Sequence, residues 1–401
     1  MTLALLVNKT GDGSLKKREP SPRFKKILKA ILPAGFMANG ISCGLKKSGK
    51  LDLALIYSRF PALACAKFTT SSIIAAPLIV NQKHLKSAKR FQAVLANSGN
   101  ANCFTGKSGI KDAQSSAGYL ARELKIAKNS VLVNSTGIIG KRLDTAKIKQ
   151  GIPELVLGLS SSGIHKAKMA IMTTDTFAKE VSLSLKIKGK PVRICGIAKG
   201  AGMIAPNMAT MLCFILTDAA ITQAALDKAT GAAVDKSFNC ISVDGCMSTN
   251  DTALVLANAA AGNRVISAGA DLVNFSRALA SICLDLAKMV VIDAEGATKF
   301  IQIDVIQAKH AQEAKSVALS IANSVLFKTA VFGQNPNFGR IAAAVGASGF
   351  KIKEEQLKIK LGSLRGKRVK LTVSLSRGKA KCTVYTSDLT SEYIKINAAY
   401  N

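Results

Sequence analysis

The stretch Lys199-Gly200-Ala201-Gly202-Met203-Ile204-Ala205-Pro206-Asn207-Met208-Ala209-Thr210-Met211-Leu212 leads from a glycine-rich turn into an apolar run. Two glycines and Pro206 constrain the turn. Ala209 leaves its carbonyl sterically open, and Thr210 to Leu216 is apolar enough for a strand buried on both faces. A hydroxyl held there can attack the preceding carbonyl and form an ester that water hydrolyses, freeing the threonine amine. A free α-amine has a pKa near ~7.7 to 8.0 and can act as base to its own hydroxyl. A glycine-rich loop entering a strand is most often only a loop, so the rest of the chain has to decide.

Working outward, short β-like runs alternate with helical ones, which predicts a layered α/β or α+β fold. Ser72 to Val80 and Val131 to Asn134 read as strands, and Ile301, Ile303 and Val305 alternate as a half-buried strand should. Asp112 to Lys128 places Ala117, Leu120, Ala121 and Leu124 on one helical face. Leu272, Phe275, Leu279, Ile282 and Leu286 recur at helical spacing, as do Ala314, Val317, Ala318, Ile321 and Val325. No repeat of fixed period interrupts this texture.

The chain has 401 residues and a formal charge of +32. Residues 1–32 hold eight Lys or Arg against Asp12 and Glu19, so they supply +6 and the remaining +26 is spread over the body. That segment, with Gly11, Gly13, Pro20 and Pro22 among its charges, reads as a basic flexible extension, and folded sequence is expected from about Leu32. Elsewhere lysines interleave with apolar residues, as in Leu357-Lys358-Ile359-Lys360-Leu361, which reads as elements with Lys on the wet face. With five Tyr, fifteen Phe, no Trp and no RRM, KH or helix-turn-helix pattern, the charge does not point to nucleic acid.

No apolar run approaches the ~18 residues needed to cross a bilayer, and no membrane association is expected. Nine cysteines without a CxxC pair read as reduced core residues of a cytoplasmic protein. The three histidines, His84, His165 and His310, have no acidic or Cys partner at ligand spacing, so neither a His triad nor a metal site is expected. No phosphate loop is present, and no bound cofactor is inferred.

The opening stretch closely resembles the self-cleavage motif of the ornithine acetyltransferase family, also called the glutamate N-acetyltransferase family of arginine biosynthesis. Further motifs follow in family order from about residue 32 to the end. They are Gly35-Phe36 with Asn39-Gly40, Ala96 to Asn102, Asn134 to Gly140, Met172 to Thr176, Ser248-Thr249-Asn250-Asp251, and Glu295 to Lys299.

The resemblance implies cleavage between Ala209 and Thr210 into residues 33–209, behind the extension 1–32, and residues 210–401. Thr210 would then carry an acetyl group in a ping-pong cycle from N2-acetylornithine to glutamate. Thr136 and Gly137 match the family's oxyanion-hole positions. Lys199, Thr173 or Thr174, Glu295 and Asn397 match substrate-binding positions, with Lys199 suited to a carboxylate and Glu295 to an amine. A fold resembling N-terminal-nucleophile hydrolases and a heterotetramer of two of each fragment are also implied. Some members accept acetyl-CoA, and the motifs leave that point open. A related self-processing aminopeptidase or amidase is the alternative reading, and a basic nucleic-acid-binding protein is a more remote one.

The chain departs from the family pattern in several places. It ends at Asn401, where the family continues to a hydroxyl-bearing residue. Ile292 and Ala294 replace Arg and Gly before Glu295, Cys246-Met247 replaces Asp-Thr, and Asn335 and Phe338 replace Asp and Trp. These changes bear on substrate affinity more than on the nucleophile.

Overall fold

The computed structural model describes residues 24–205 and 211–399. Its strands are β1 (Lys25–Ile27), β2 (Phe36–Ile41), β3 (Leu53–Phe68), β4 (Phe91–Asn100), β5 (Val131–Ile138), β6 (Lys179–Ile187), β7 (Lys190–Lys199), β8 (Leu212–Thr217), β9 (Thr252–Ala257), β10 (Phe300–Ala308), β11 (Lys358–Leu361), β12 (Arg368–Ser374) and β13 (Ala380–Ser387). The helices are α1 (Ala76–Ser87), α2 (Gly106–Leu124), α3 (Thr145–Leu157), α4 (Ile164–Ala170), α5 (Gln223–Asp235), α6 (Gly269–Ile292), α7 (Ala311–Ala322), α8 (Val325–Phe332), α9 (Phe338–Gly346) and α10 (Ser391–Ala398).

Among the described residues a nine-stranded sheet runs in the order β1-β6-β7-β8-β9-β3-β4-β5, with β2 on β3, and a four-stranded sheet runs β11-β12-β10-β13. β8 lies in the middle of the larger sheet. Leu212, Phe214 and Leu216 face one core while Cys213 and Ile215 face the other, so every position of the strand has to be apolar. The α5 and α6 side chains, such as Leu226, Phe275 and Ile282, cover one face, and Ile164 and Ala167 of α4 cover the other. α1 and α2 pack on β5, and α3 packs on β2, β3 and α2. α7 to α9 close the smaller sheet over Ile301, Ile303 and Val305. The architecture is layered α/β, as the alternation of runs predicts.

Four expectations change. Folded chain begins before Leu32, because β1 pairs antiparallel with β6, and Ala30 and Ile31 donate their N–H groups to Glu180 and Ser182. Phe24 and Leu28 also pack on the core, so residues 24–32 belong to the fold; residues 1–23 lie outside the described residues. Ser72 to Val80 contains no strand: Pro77 stands in the first turn of α1, where its missing N–H costs nothing, and Ala76, Leu78 and Val80 are buried while Ile79 is exposed. The helix expected over 112–128 is α2, which starts six residues earlier at Gly106 and ends at Leu124, with Lys125 in the left-handed region at φ 54°. Val325 does not continue α7, because Asn323 and Ser324 end that helix and Ser324 caps α8, leaving Val325 59% exposed.

Candidate functional site

The register of the large sheet brings three chain segments to one end. Lys199 closes β7 opposite Leu212, and Leu212 lies beside Thr252 at the start of β9. One residue before each of these strands, Met211 donates its backbone N–H to Asp251 Oδ1 at 3.0 Å. Ala209 and Thr210, the expected cleavage pair, lie outside the described residues.

A cavity of about 100 Å³ opens at this sheet end. Thr136 and Gly137, at the end of β5, form one wall of it. Gly137 has φ +130°, and a Cβ there would come within 2.5 Å of the Gly99 carbonyl carbon, so the tight β4–β5 approach requires glycine. Thr136 is buried, and its Oγ1 accepts a hydrogen bond from Lys199 Nζ at 3.2 Å.

Lys199 itself is 3% exposed. Burial pushes its ammonium below the ordinary lysine range, while Asp175 is the strongest of the groups that oppose this. Thr173 and Thr174 follow α4 and border the same cavity, with the Thr173 N–H donating to Asp175 Oδ2 at 2.9 Å. Glu295 follows α6; its N–H donates to the Ala201 carbonyl at 3.1 Å, and its Oε2 accepts from Asn397 Nδ2 of α10 at 2.9 Å. Every described residue that the sequence marks for the site therefore reaches one cavity.

Sequence reasoning misses the frame beneath them. Lys179, at the head of β6, reads as one more wet-face lysine, yet its side chain is fully buried between Asp175 at 2.6 Å and Asp293 at 2.5 Å. Lys328, also buried, donates to Val243 O and Thr386 Oγ1. Asp251 and Asn250 stand in a motif quoted above without a role. Asn250 Nδ2 donates to Ala101 O at 2.6 Å and Ser135 O at 2.9 Å, tying the β5 end to the β9 entrance. Asp251 is fully buried, its Oδ2 has no hydrogen-bond partner among the described residues, and burial pushes its carboxyl well above the ordinary range. All nine cysteines are free, but Cys246 is exposed and is not a core residue. Among the described residues no group of three or more His, Cys, Asp or Glu could hold a metal ion, and no helix is long and apolar enough to cross a membrane.

The family model described as the ArgJ family matches residues 37–366. The chain is 44% identical over 388 residues to the arginine biosynthesis bifunctional protein ArgJ of Geobacter sulfurreducens, across 91% of this chain and 98% of that one. It is 42% identical over 400 residues to the glutamate N-acetyltransferase of Methanocaldococcus jannaschii, across 92% and 97% of the two chains. Among solved structures it is similar to ornithine acetyltransferase complexed with ornithine from Mycobacterium tuberculosis, at 35% identity and a TM-score of 0.43, over 47% of this chain and 100% of that one.

Proposed function

The chain belongs to the ArgJ family, and from that premise we propose that it is a self-processing acetyltransferase that moves an acetyl group from N2-acetylornithine to glutamate in arginine biosynthesis. In the processing step the Thr210 hydroxyl adds to the Ala209 carbonyl carbon. The C–N bond breaks as its nitrogen takes up the hydroxyl proton, and water then hydrolyses the ester to give fragments 1–209 and 210–401. The freed Thr210 amine accepts the proton of its own hydroxyl in each later turnover. Attack on acetylornithine releases ornithine and leaves O-acetyl-threonine. The glutamate amine then takes the acetyl group and departs as N-acetylglutamate.

One observation carries this reading: Lys199 and Glu295, a cation and an anion, border one small cavity together with the Thr136-Gly137 turn. N2-Acetylornithine offers its carboxylate to the first and its side-chain ammonium to the second. The turn can present donors to the oxygen that becomes negative during acyl transfer. Thr173, Thr174 and Asn397 complete the substrate wall. In this reading no bound cofactor takes part, the fragments assemble as two of each, and the enzyme works in the cytoplasm, where nine free thiols stay reduced. The word bifunctional in a relative's name motivates acetyl-CoA as a second acetyl donor.

The test incubates purified protein with N2-acetylornithine and glutamate and follows both products by mass spectrometry. Equal amounts of ornithine and N-acetylglutamate are expected, with most of the rate lost in Lys199→Met and Glu295→Gln. Free acetate in place of N-acetylglutamate would instead identify a hydrolase. The same assay with acetyl-CoA replacing acetylornithine decides the second donor.

A further inference from the structure

Asp175 contacts three separate parts of the site. Its Oδ2 accepts the Thr173 N–H at 2.9 Å, and its Oδ1 accepts the Gly200 N–H at 2.7 Å, next to Lys199 in the chain. Oδ1 also meets Lys179 Nζ at 2.6 Å. Lys179 passes the connection on to Asp293, which accepts the Thr176 N–H and lies two residues before Glu295. The Asp175 side chain and Lys179 are both fully shielded from solvent. One buried carboxylate thus ties the Thr173 turn, the end of β7 and, through Lys179, the Glu295 turn into a single frame.

Five charged or titratable groups act on the Lys199 ammonium: Asp175, Asp251, Glu295, Lys179 and Lys46. The two lysines disfavour its charge. Asp251 is pushed towards its neutral form by burial. Glu295 shares its Oε2 with Asn397 and faces the cavity. Burial alone would raise the Asp175 carboxyl, but Lys179, Lys199 and the Gly200 N–H outweigh it and hold the group well below the usual carboxylate range. Asp175 is therefore an anion that favours the charged form of Lys199, which burial disfavours.

We propose that Asp175 is a positioning residue that keeps Lys199 charged and fixed at the cavity wall, with Lys179, itself shared with Asp293, as the buried counter-charge that holds Asp175 in place. The proposal rests on the reading of Lys199 as the cation for the substrate carboxylate.

The test measures the charge of Lys199 directly in the full-length protein. Brief carbamylation with cyanate, which reacts with neutral amines, is followed at Lys199 by peptide mass across a pH series and normalised to exposed Lys358. In Asp175→Asn the Lys199 midpoint should fall by about one pH unit, so that Lys199 labels roughly tenfold faster at a fixed pH below both midpoints. Asp175→Glu, which restores the charge, should return the midpoint towards wild type. The alkaline limb of acetyl transfer should move down with the midpoint, with KM for glutamate raised more than kcat is lowered. If Asp175→Asn does not fold, Asp293→Asn replaces it. Asp175 is then the one carboxylate left on Lys179 among the described residues, and a smaller fall in the same direction is expected. An unmoved Lys199 midpoint in the folded variant overturns the proposal. Labelling needs no turnover, so a wild type without transferase activity would sink the acetyltransferase reading while leaving this test intact.

Discussion

A Cβ placed on Gly202 would lie 2.3 Å from Oε2 of Glu295, so the absent side chain of one residue is the space occupied by the carboxylate of the other. The Glu295 backbone is held independently by its N–H bond to Ala201, which leaves the carboxylate as the part that must yield to a larger residue 202.

Gly202→Ala is accordingly expected to swing the Glu295 carboxylate away from the cavity. Losing a positioned charged contact is worth about 1.5–3 kcal/mol, so KM for the amino-acid substrate should rise roughly tenfold or more. Removing a glycine also stiffens the unfolded chain, so thermal stability should hold or rise slightly. Steady-state kinetics combined with thermal unfolding checks both halves. An unchanged KM would contradict the assignment of Glu295 to the substrate.

Lys179→Met removes the cation from between two buried carboxylates. Breaking a buried ion pair from one side typically costs about 3–5 kcal/mol, because the remaining charge is left uncompensated. Urea unfolding should show a loss of that size. Lys358→Met, on the exposed edge of β11, should change stability by less than about 0.5 kcal/mol.

Asp251 gives a pH signature. Its folded-state pKa is raised by burial, so the unfolded chain releases this proton at lower pH than the native protein does. The native state therefore gains from this group at low pH and loses that contribution as the pH rises from about 4 through the folded pKa. Asp251→Asn keeps an acceptor for the Met211 N–H and removes the titration. The stability difference, variant minus wild type, should grow as the pH rises from about 4 to 7. A difference independent of pH would contradict a raised pKa at this carboxyl.

Much of the fold was readable because the patterns follow simple periods. Ile301, Ile303 and Val305 alternate because one face of β10 meets a helical layer, and β8 is uniformly apolar because it has a core on each side. The 72–80 segment misled because a short apolar run fits a strand or a buried helix equally well, and only Pro77 marked a helix start. The lysine reading failed for a different reason. Lys179 owes its burial to Asp293, 114 residues away in the chain, and no local pattern reports such a pairing. The candidate site was readable through its motifs, residue by residue, whereas the frame of Asp175, Lys179 and Asp293 beneath it required the folded arrangement.

Self-cleavage is the central claim, and intact-mass analysis under denaturing conditions tests it most directly. Purified wild type should give two fragments meeting between Ala209 and Thr210, and Thr210→Ala should remain whole. A wild type that stays a single chain of 401 residues would contradict the account at its first chemical step.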